Sequence, residues 1–281
     1  MNYQKILFEG VKSLKSKNII NPNLDAELIL SKVLKINRGK ILLNYENNLS
    51  IKQVKKFYYY LSKRKKNEPI AYILGYKHFW KYKFFVNNSV LIPRPDTEHL
   101  VEESLNCIPK NKSYKILDIG TGSGCIIISL LKDRPECSGT AIDISSKAIK
   151  VAKTNAKLHH LENKIKFINI DIDKFNTYKY DLIITNPPYI SNIEFNRLGD
   201  NVKLYEPKIA LNGGLDGFEI IKKIIEKSSI LLRKNGKFIV EIGYKQKDEC
   251  LKLLKMNGFY VNKICKDFSD RDRCIGSTKN N

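Results

Sequence analysis

The chain has 281 residues, 42% of them hydrophobic, which suffices for one large domain or two modest ones with real cores. No apolar run approaches membrane-spanning length, and Met1 to Lys17 alternates polar and apolar residues without a signal-peptide core, so a soluble cytoplasmic protein with no membrane partner is expected. The net charge of +21 comes mostly from lysines dispersed along helical stretches such as Lys52 to Lys66, with little arginine, so no stable nucleic-acid partner is expected.

The N-terminal quarter predicts successive helices over Tyr3 to Lys15, Leu24 to Leu34, Arg38 to Leu43 and Ser50 to Lys66. In the last of these Ser50 and Gln53 have capping-box spacing, and Val54, Phe57, Tyr58 and Leu61 form an apolar stripe that reads as core. After Gly75, the aromatic-rich Tyr76 to Val86 predicts a hairpin turning near Lys81 to Lys83, and Leu91 to Glu98 reads as a linker. From Tyr114 onward strand and helix patterns alternate as in βαβ units. Strands are expected at Lys115 to Asp118, Gly139 to Asp143, Lys164 to Asp171, Tyr180 to Asn186, Lys237 to Gly243, Tyr260 to Asp267 and Arg273 to Thr278. A helix is expected from Gly217 to Arg233, stopped by Asn235-Gly236. The long Ser191 to Gly214 connection reads as a binding loop or lid. Six cysteines at 107, 125, 137, 250, 265 and 274 include no C-x-x-C pair, so neither a metal site nor a disulfide framework is expected.

Two motifs carry chemistry. Asn186-Pro187-Pro188-Tyr189 ends an apolar, β-branched strand, where open α/β sheets bind ligands. Asn186 offers a carbonyl acceptor, the prolines donate no N–H, and the Tyr189 ring is flat enough to stack, a combination suited to holding a planar amino group. A plain proline turn is the alternative. The second motif, Asp118-Ile119-Gly120-Thr121-Gly122-Ser123-Gly124, is a strand, a glycine turn and a helix start, as in a nucleotide-type cofactor loop. Ile127 stands where the dinucleotide pattern needs a small residue, which argues against NAD. Asp143, ending the next strand, suits a ribose diol; capping the helix that begins near Ser145 is its other reading.

Loop, acid and NPPY together resemble S-adenosylmethionine-dependent amino-group methyltransferases. Over nearly the whole length the chain is similar to the bacterial release-factor glutamine methyltransferases, through NPPY and the blocks Glu68 to Gly75, Leu91 to Glu98 and Tyr205 to Gly217. DNA adenine methyltransferases share NPPY without those blocks, and the related ribosomal-protein glutamine methyltransferases match Arg94 to Glu98 less well. A surface ion pair between Arg94 and Glu98 is the bland reading of that segment.

The resemblance implies an α/β class I methyltransferase fold, with a seven-stranded, mostly parallel sheet and a small all-helical N-terminal domain. Residues 1–75 would recognise the substrate, 76–98 form a hairpin and linker, and 99–281 bind cofactor and catalyse. The implied reaction is N5-methylation of the glutamine in the Gly-Gly-Gln motif of class I peptide chain release factors by in-line transfer, carried out by a monomer. Asn186, Pro187, Pro188 and Tyr189 are the implied catalytic residues. S-adenosylmethionine would be held by Asp118, Gly120, Thr121, Gly122, Ser123, Gly124, Asp143, Asp171, Ile172 and Asn186. Ile172 stands at the adenine position, where relatives commonly carry an aromatic residue.

Overall fold

The computed structural model describes residues 1–177, 179–267 and 269–280, in two compact units. One comprises Met1–Tyr76 with Gly199–Tyr205, the other Lys77–Leu198 with Glu206–Asn281.

The first unit holds helices α1 (Tyr3–Lys15), α2 (Pro22–Leu34), α3 (Arg38–Leu42), α4 (Ile51–Lys65) and α5 (Ile70–Leu74). Side chains satisfy the free N–H groups at helix starts: Asn2 accepts from the Lys5 amide, and Ser50 with Gln53 forms the expected capping box. α2 begins at Pro22, ahead of the expected Leu24, because proline's fixed φ suits the first helical position. Of the α4 stripe, Phe57 and Leu61 are buried, while Tyr58 is partly exposed and donates its hydroxyl to Glu9. The buried Asp25 carboxylate is balanced by Arg64 at 2.6 Å. α5 was not expected; it occupies the Glu68 to Gly75 block and ends at Gly75 with φ of +80°. The Tyr205 hydroxyl donates to the Lys66 carbonyl at 2.6 Å, tying the distant segment to the helices.

The hairpin pairs β1 (Tyr76–Phe79) with β2 (Tyr82–Phe85) and turns at Trp80-Lys81, one position earlier than expected. Trp80 Nε1, Lys81 Nζ and the Tyr82 hydroxyl all bond to Asp133, so side chains outside the hairpin fix its turn. The expected linker ends in a 3₁₀ turn at Pro95–Thr97, followed by the unanticipated helix α6 (Glu98–Cys107). The rest of the chain forms β3 (Lys115–Ile119), α7 (Cys125–Asp133), β4 (Ser138–Asp143), α8 (Ser146–Leu158), β5 (Ile165–Asn169) and β6 (Tyr180–Thr185). It continues through α9 (Asn192–Asn196), α10 (Asp200–Lys203), α11 (Glu219–Leu231), β7 (Leu232–Glu241), α12 (Lys247–Met256), β8 (Phe259–Lys266) and β9 (Asp272–Lys279).

The sheet order is β5-β4-β3-β6-β7-β9-β8, with β9 antiparallel to both neighbours and the other pairings parallel. Alternate strand residues enter separate cores. Ile116, Leu182 and Ile184 pack with α6 and α7, and Leu117 and Ile183 with α11 and α12. α11 stops at Leu231, before the expected Asn235-Gly236 signal. That pair lies inside β7, where the pairing jumps from Tyr180–Leu232 to Leu182–Lys237 and Asn235 takes a φ of +62°. All six cysteines are free thiols. Among the described residues no helix is long and apolar enough to cross a membrane, and no cluster of metal-ligating side chains occurs.

A Cβ on Gly139 of β4 would lie 2.9 Å from Ile127 Cγ1 and 3.2 Å from Leu131 Cδ1 of α7. Gly139→Val is therefore expected to lower unfolding free energy by about 1–3 kcal/mol in urea titration; wild-type stability would contradict this packing.

Candidate active site

Strand register sets the level at which the functional residues emerge. Ile119 pairs with Ile142 of β4 and Thr185 of β6, and Thr185 pairs with Val240 of β7. Gly120, Asp143, Asn186 and Glu241 consequently reach the same edge of the sheet. Strand order reverses between β3 and β6, the position where open sheets leave a crevice. A cavity of about 320 Å³ opens there.

The β3 loop lines it with Gly120, Thr121, Gly122 and Ser123, and β4 with Asp143. Asp171 and Ile172 line it after β5, and Asn186, Pro187 and Pro188 after β6. Gly120 and Gly122 adopt φ of +72° and +56°, turning the loop so that backbone rather than side chain faces the space. Asp143 accepts from the Gly122 amide at 2.9 Å and the Ser145 amide at 2.8 Å, while Ser145 itself caps α8 through the Ala148 amide. Burial raises the Asp143 pKa, opposed by the amides of Ser145 and Gly122. Each of its oxygens retains a lone pair for a further donor. Asp171 caps a single turn through the Asp173 amide, and Ile172 adds an apolar face.

Three expected site residues lie off the wall. Asp118 is buried beneath the loop, where it accepts the Thr121 hydroxyl at 2.7 Å; burial pushes its pKa up to about 7. Gly124 serves helix packing, since a Cβ there would come within 3.1 Å of Ile128 Cδ1 and 3.3 Å of Ala152 Cβ. Tyr189 does not present its ring at the mouth: it packs against the α11 and α12 core and donates its hydroxyl to Glu241 Oε1 at 3.1 Å. Burial, then the Glu241 charge, raises the Tyr189 pKa.

The Arg94–Glu98 surface pair, the bland alternative for this segment, does not form. Arg94 instead bonds to the buried Glu206 at 2.6 Å, and Glu206 also accepts the Ile92 amide at 3.1 Å. Glu98 accepts the Trp80 amide. Two sequence blocks are thus joined beside the cavity, which Arg94 and Pro207 both line. Glycines let the Ser191 to Gly217 connection lie against NPPY. A Cβ on Gly213 would fall 2.6 Å from the Pro188 carbonyl oxygen, and one on Gly217 2.4 Å from that of Tyr189.

Thr97 and Glu241 were missed as site residues. Asn186 Nδ2 donates to Thr97 Oγ1 at 3.0 Å. Glu241 is fully buried, and burial drives its pKa to about 7 against the opposing influences of Thr97, Arg273 and Tyr189. The Thr97 hydroxyl is near enough to favour the charged carboxylate, yet Glu241 Oε2 lacks a hydrogen bond of good geometry. The Leu91 to Glu98 block pointed to Thr97; a carboxylate ending an apolar strand was the only signal for Glu241.

The Methyltransferase small domain family matches residues 101–199, and the PrmC N-terminal domain family matches residues 5–75. A release factor glutamine methyltransferase of Caulobacter vibrioides is 35% identical over 95% of this chain and 93% of its own. The chain belongs to the release factor glutamine methyltransferase family. A namesake from Clostridium acetobutylicum is 36% identical over 98% of each chain. A bifunctional methyltransferase of Rickettsia bellii is 38% identical, and 97% of this chain spans 54% of it. Two solved structures share the fold. A methyltransferase from Pyrococcus furiosus has a TM-score of 0.54 at 17% identity, covering 70% of this chain and 89% of its own. A ribosomal protein L11 methylase from Lactobacillus delbrueckii subsp. bulgaricus has a TM-score of 0.51 at 20% identity, covering 67% and 81%.

This family's cofactor is S-adenosylmethionine, and the residues present fit it. The cavity combines a bare backbone loop, a carboxylate with spare acceptor capacity and apolar faces from Ile144 and Ile172.

The folded protein holds the Glu241 proton up to about pH 7, whereas the unfolded chain releases it near the ordinary 4.5. Folding therefore binds a proton between those values, and the stability from this group, complete below pH 4.5, is lost as the pH rises through 7. Relative to Glu241→Gln, the wild type should lose stability across that window in thermal melts. Parallel curves would contradict the assigned burial effect.

Proposed function

We propose that this protein methylates the side-chain amide nitrogen of the glutamine in the Gly-Gly-Gln motif of class I peptide chain release factors. The observation that carries the reading is the pair of free acceptors at the cavity wall. Asn186 commits one amide hydrogen to Thr97, and no donor among the described residues bonds to Asn186 Oδ1 or to the Pro187 carbonyl. Those two oxygens can take both hydrogens of a carboxamide NH2. Relatives named release factor glutamine methyltransferase support a release-factor glutamine as the substrate.

Asp143 would accept from the ribose hydroxyls, the Gly120 to Gly124 turn would receive the amino-acid end, and Ile172 would face the adenine. When bound, S-adenosylmethionine supplies a methyl carbon on a positively charged sulfur, which keeps the bond's electron pair as the carbon is taken. An amide nitrogen is a poor nucleophile, because its lone pair is delocalised into the carbonyl. Positioning must therefore supply much of the acceleration, and aligned reactants reach effective molarities of about 10⁵ to 10⁸ M. Asn186 and the Pro187 carbonyl would hold the nitrogen in line. As positive charge grows on the N–H bonds, the same oxygens bind it more strongly in the transition state than in the ground state. The proton then leaves late, to a carbonyl oxygen or water. The helical unit, with Phe8 and Tyr59 exposed, would engage the release factor.

Incubation with labelled cofactor and either release factor or duplex DNA, followed by mass-spectrometric mapping, tests the assignment. Methyl on the Gly-Gly-Gln glutamine is expected; label in DNA alone would contradict it. Asn186→Ala should lower turnover by at least about a hundredfold with cofactor affinity nearly intact. Asp143→Ala should weaken cofactor affinity about tenfold to a hundredfold in calorimetric titration, and unchanged affinity would remove Asp143 from the cofactor site.

A further inference from the structure

A carboxamide has two ends that differ in function but hardly in shape. If Asn186 rotated by half a turn, its NH2 would point at the substrate nitrogen, donor would face donor, and the site would repel what it must hold. Nothing in NPPY itself prevents this. The prolines fix the backbone, not the second side-chain torsion of the asparagine.

One group contacts the far end of that carboxamide. Asn186 Nδ2 lies 3.0 Å from Thr97 Oγ1, and Thr97 is only 2% exposed. A hydroxyl can donate or accept, so its own proton must be committed elsewhere before it enforces one orientation. Behind it stands the buried Glu241. Its Oε1 already receives the Tyr189 hydroxyl at 3.1 Å, and its Oε2 is buried with spare acceptor capacity. Deprotonated, as it is above about pH 7, Glu241 can only accept, and Thr97, near enough to favour that charged form, then turns its proton toward it and away from Asn186. Thr97 Oγ1 then presents a lone pair, and the asparagine must turn its NH2 inward and its oxygen to the cavity. Register makes the arrangement possible, since Thr185 pairs with Val240 and so brings Glu241 level with Asn186.

We propose that Thr97, backed by Glu241, is a positioning residue that sets the orientation of the Asn186 carboxamide so that Oδ1 faces the substrate. The inference rests on the role proposed for Asn186. It also gives Tyr189 a task consistent with its burial: the last residue of NPPY steadies the carboxylate that orients the first.

The test compares Thr97→Val, which keeps the shape and removes the hydroxyl, with Thr97→Ser, which keeps the hydroxyl. Single-turnover rate, cofactor affinity and melting temperature are measured for each, with Asn186→Ala alongside. Thr97→Val should lower the rate about tenfold to a hundredfold, the effect of leaving a buried donor unpaired and the acceptor misdirected. Its cofactor affinity should stay near that of wild type and its melting temperature should fall by only a few degrees, as for one lost buried hydrogen bond, while Thr97→Ser should restore most of the rate. A Thr97→Val rate within about twofold of wild type, with Asn186→Ala inactive, would overturn this inference alone. Equal loss in the serine and valine variants would also overturn it, by pointing to the methyl group. Wild-type turnover in Asn186→Ala would overturn the underlying reading as well. If Thr97→Val folds poorly, Thr97→Ala against Thr97→Ser decides on the same terms.

Discussion

The level at which β3, β6 and β7 end side by side is the constraint on which the site depends. Parallel pairing holds Ile119, Thr185 and Val240 in one row, so the next residues emerge together at the sheet edge. A slip of one residue in β6 would exchange its two faces, placing Ile183 where Leu182 and Ile184 now pack. It would also carry Asn186 away from Thr97 and the cavity. The two apolar cores that fix the register thus also fix the position of a single carbonyl oxygen. Fold stability and site geometry depend on the same contacts.

Around that oxygen, buried polar groups are linked in series. Asn186 bonds to Thr97, Thr97 is near enough to Glu241 to favour its charged form, and Glu241 receives the Tyr189 hydroxyl. Arg273, itself held by Asp267 at 2.9 Å, adds positive charge nearby. In a poorly solvated setting such groups orient one another more strongly than in water, and an unmatched one is costly. Burying Glu241 works against folding at neutral pH, a cost that the proposed orienting role at the reacting edge would account for. The Arg94–Glu206 pair, with Arg94 at the same cavity, holds the segment before α6 to the connection after α10.

The sequence disclosed elements whose signals are local and missed those whose cause is tertiary. The capping box at Ser50, the β-branched run before NPPY and the glycine turn after β3 each carry their own physics, and all lie where expected. Asn235-Gly236 carries equally clear turn chemistry, yet it marks a bulge inside β7, because positive φ is needed in both settings. α6 escaped notice because Pro93 and Pro95, just ahead of it, make Leu91 to Glu98 read as linker. Motif residues were likewise found, but their partners were not. Asp118, Gly124 and Tyr189 belong to recognisable motifs while supporting the site from behind, and residue type alone does not say which way a side chain faces. Thr97 and Glu241 are brought to Asn186 by strand pairing and by the turn before α6. That proximity exists only in three dimensions.

Direct observation of the bound amide bears most closely on the central claim. In a structure of the protein with S-adenosylhomocysteine and a release factor, the account predicts that the glutamine carboxamide nitrogen lies within hydrogen-bonding distance of both Asn186 Oδ1 and the Pro187 carbonyl oxygen. A glutamine bound away from this edge, or one whose carbonyl oxygen rather than nitrogen met Asn186, would contradict it.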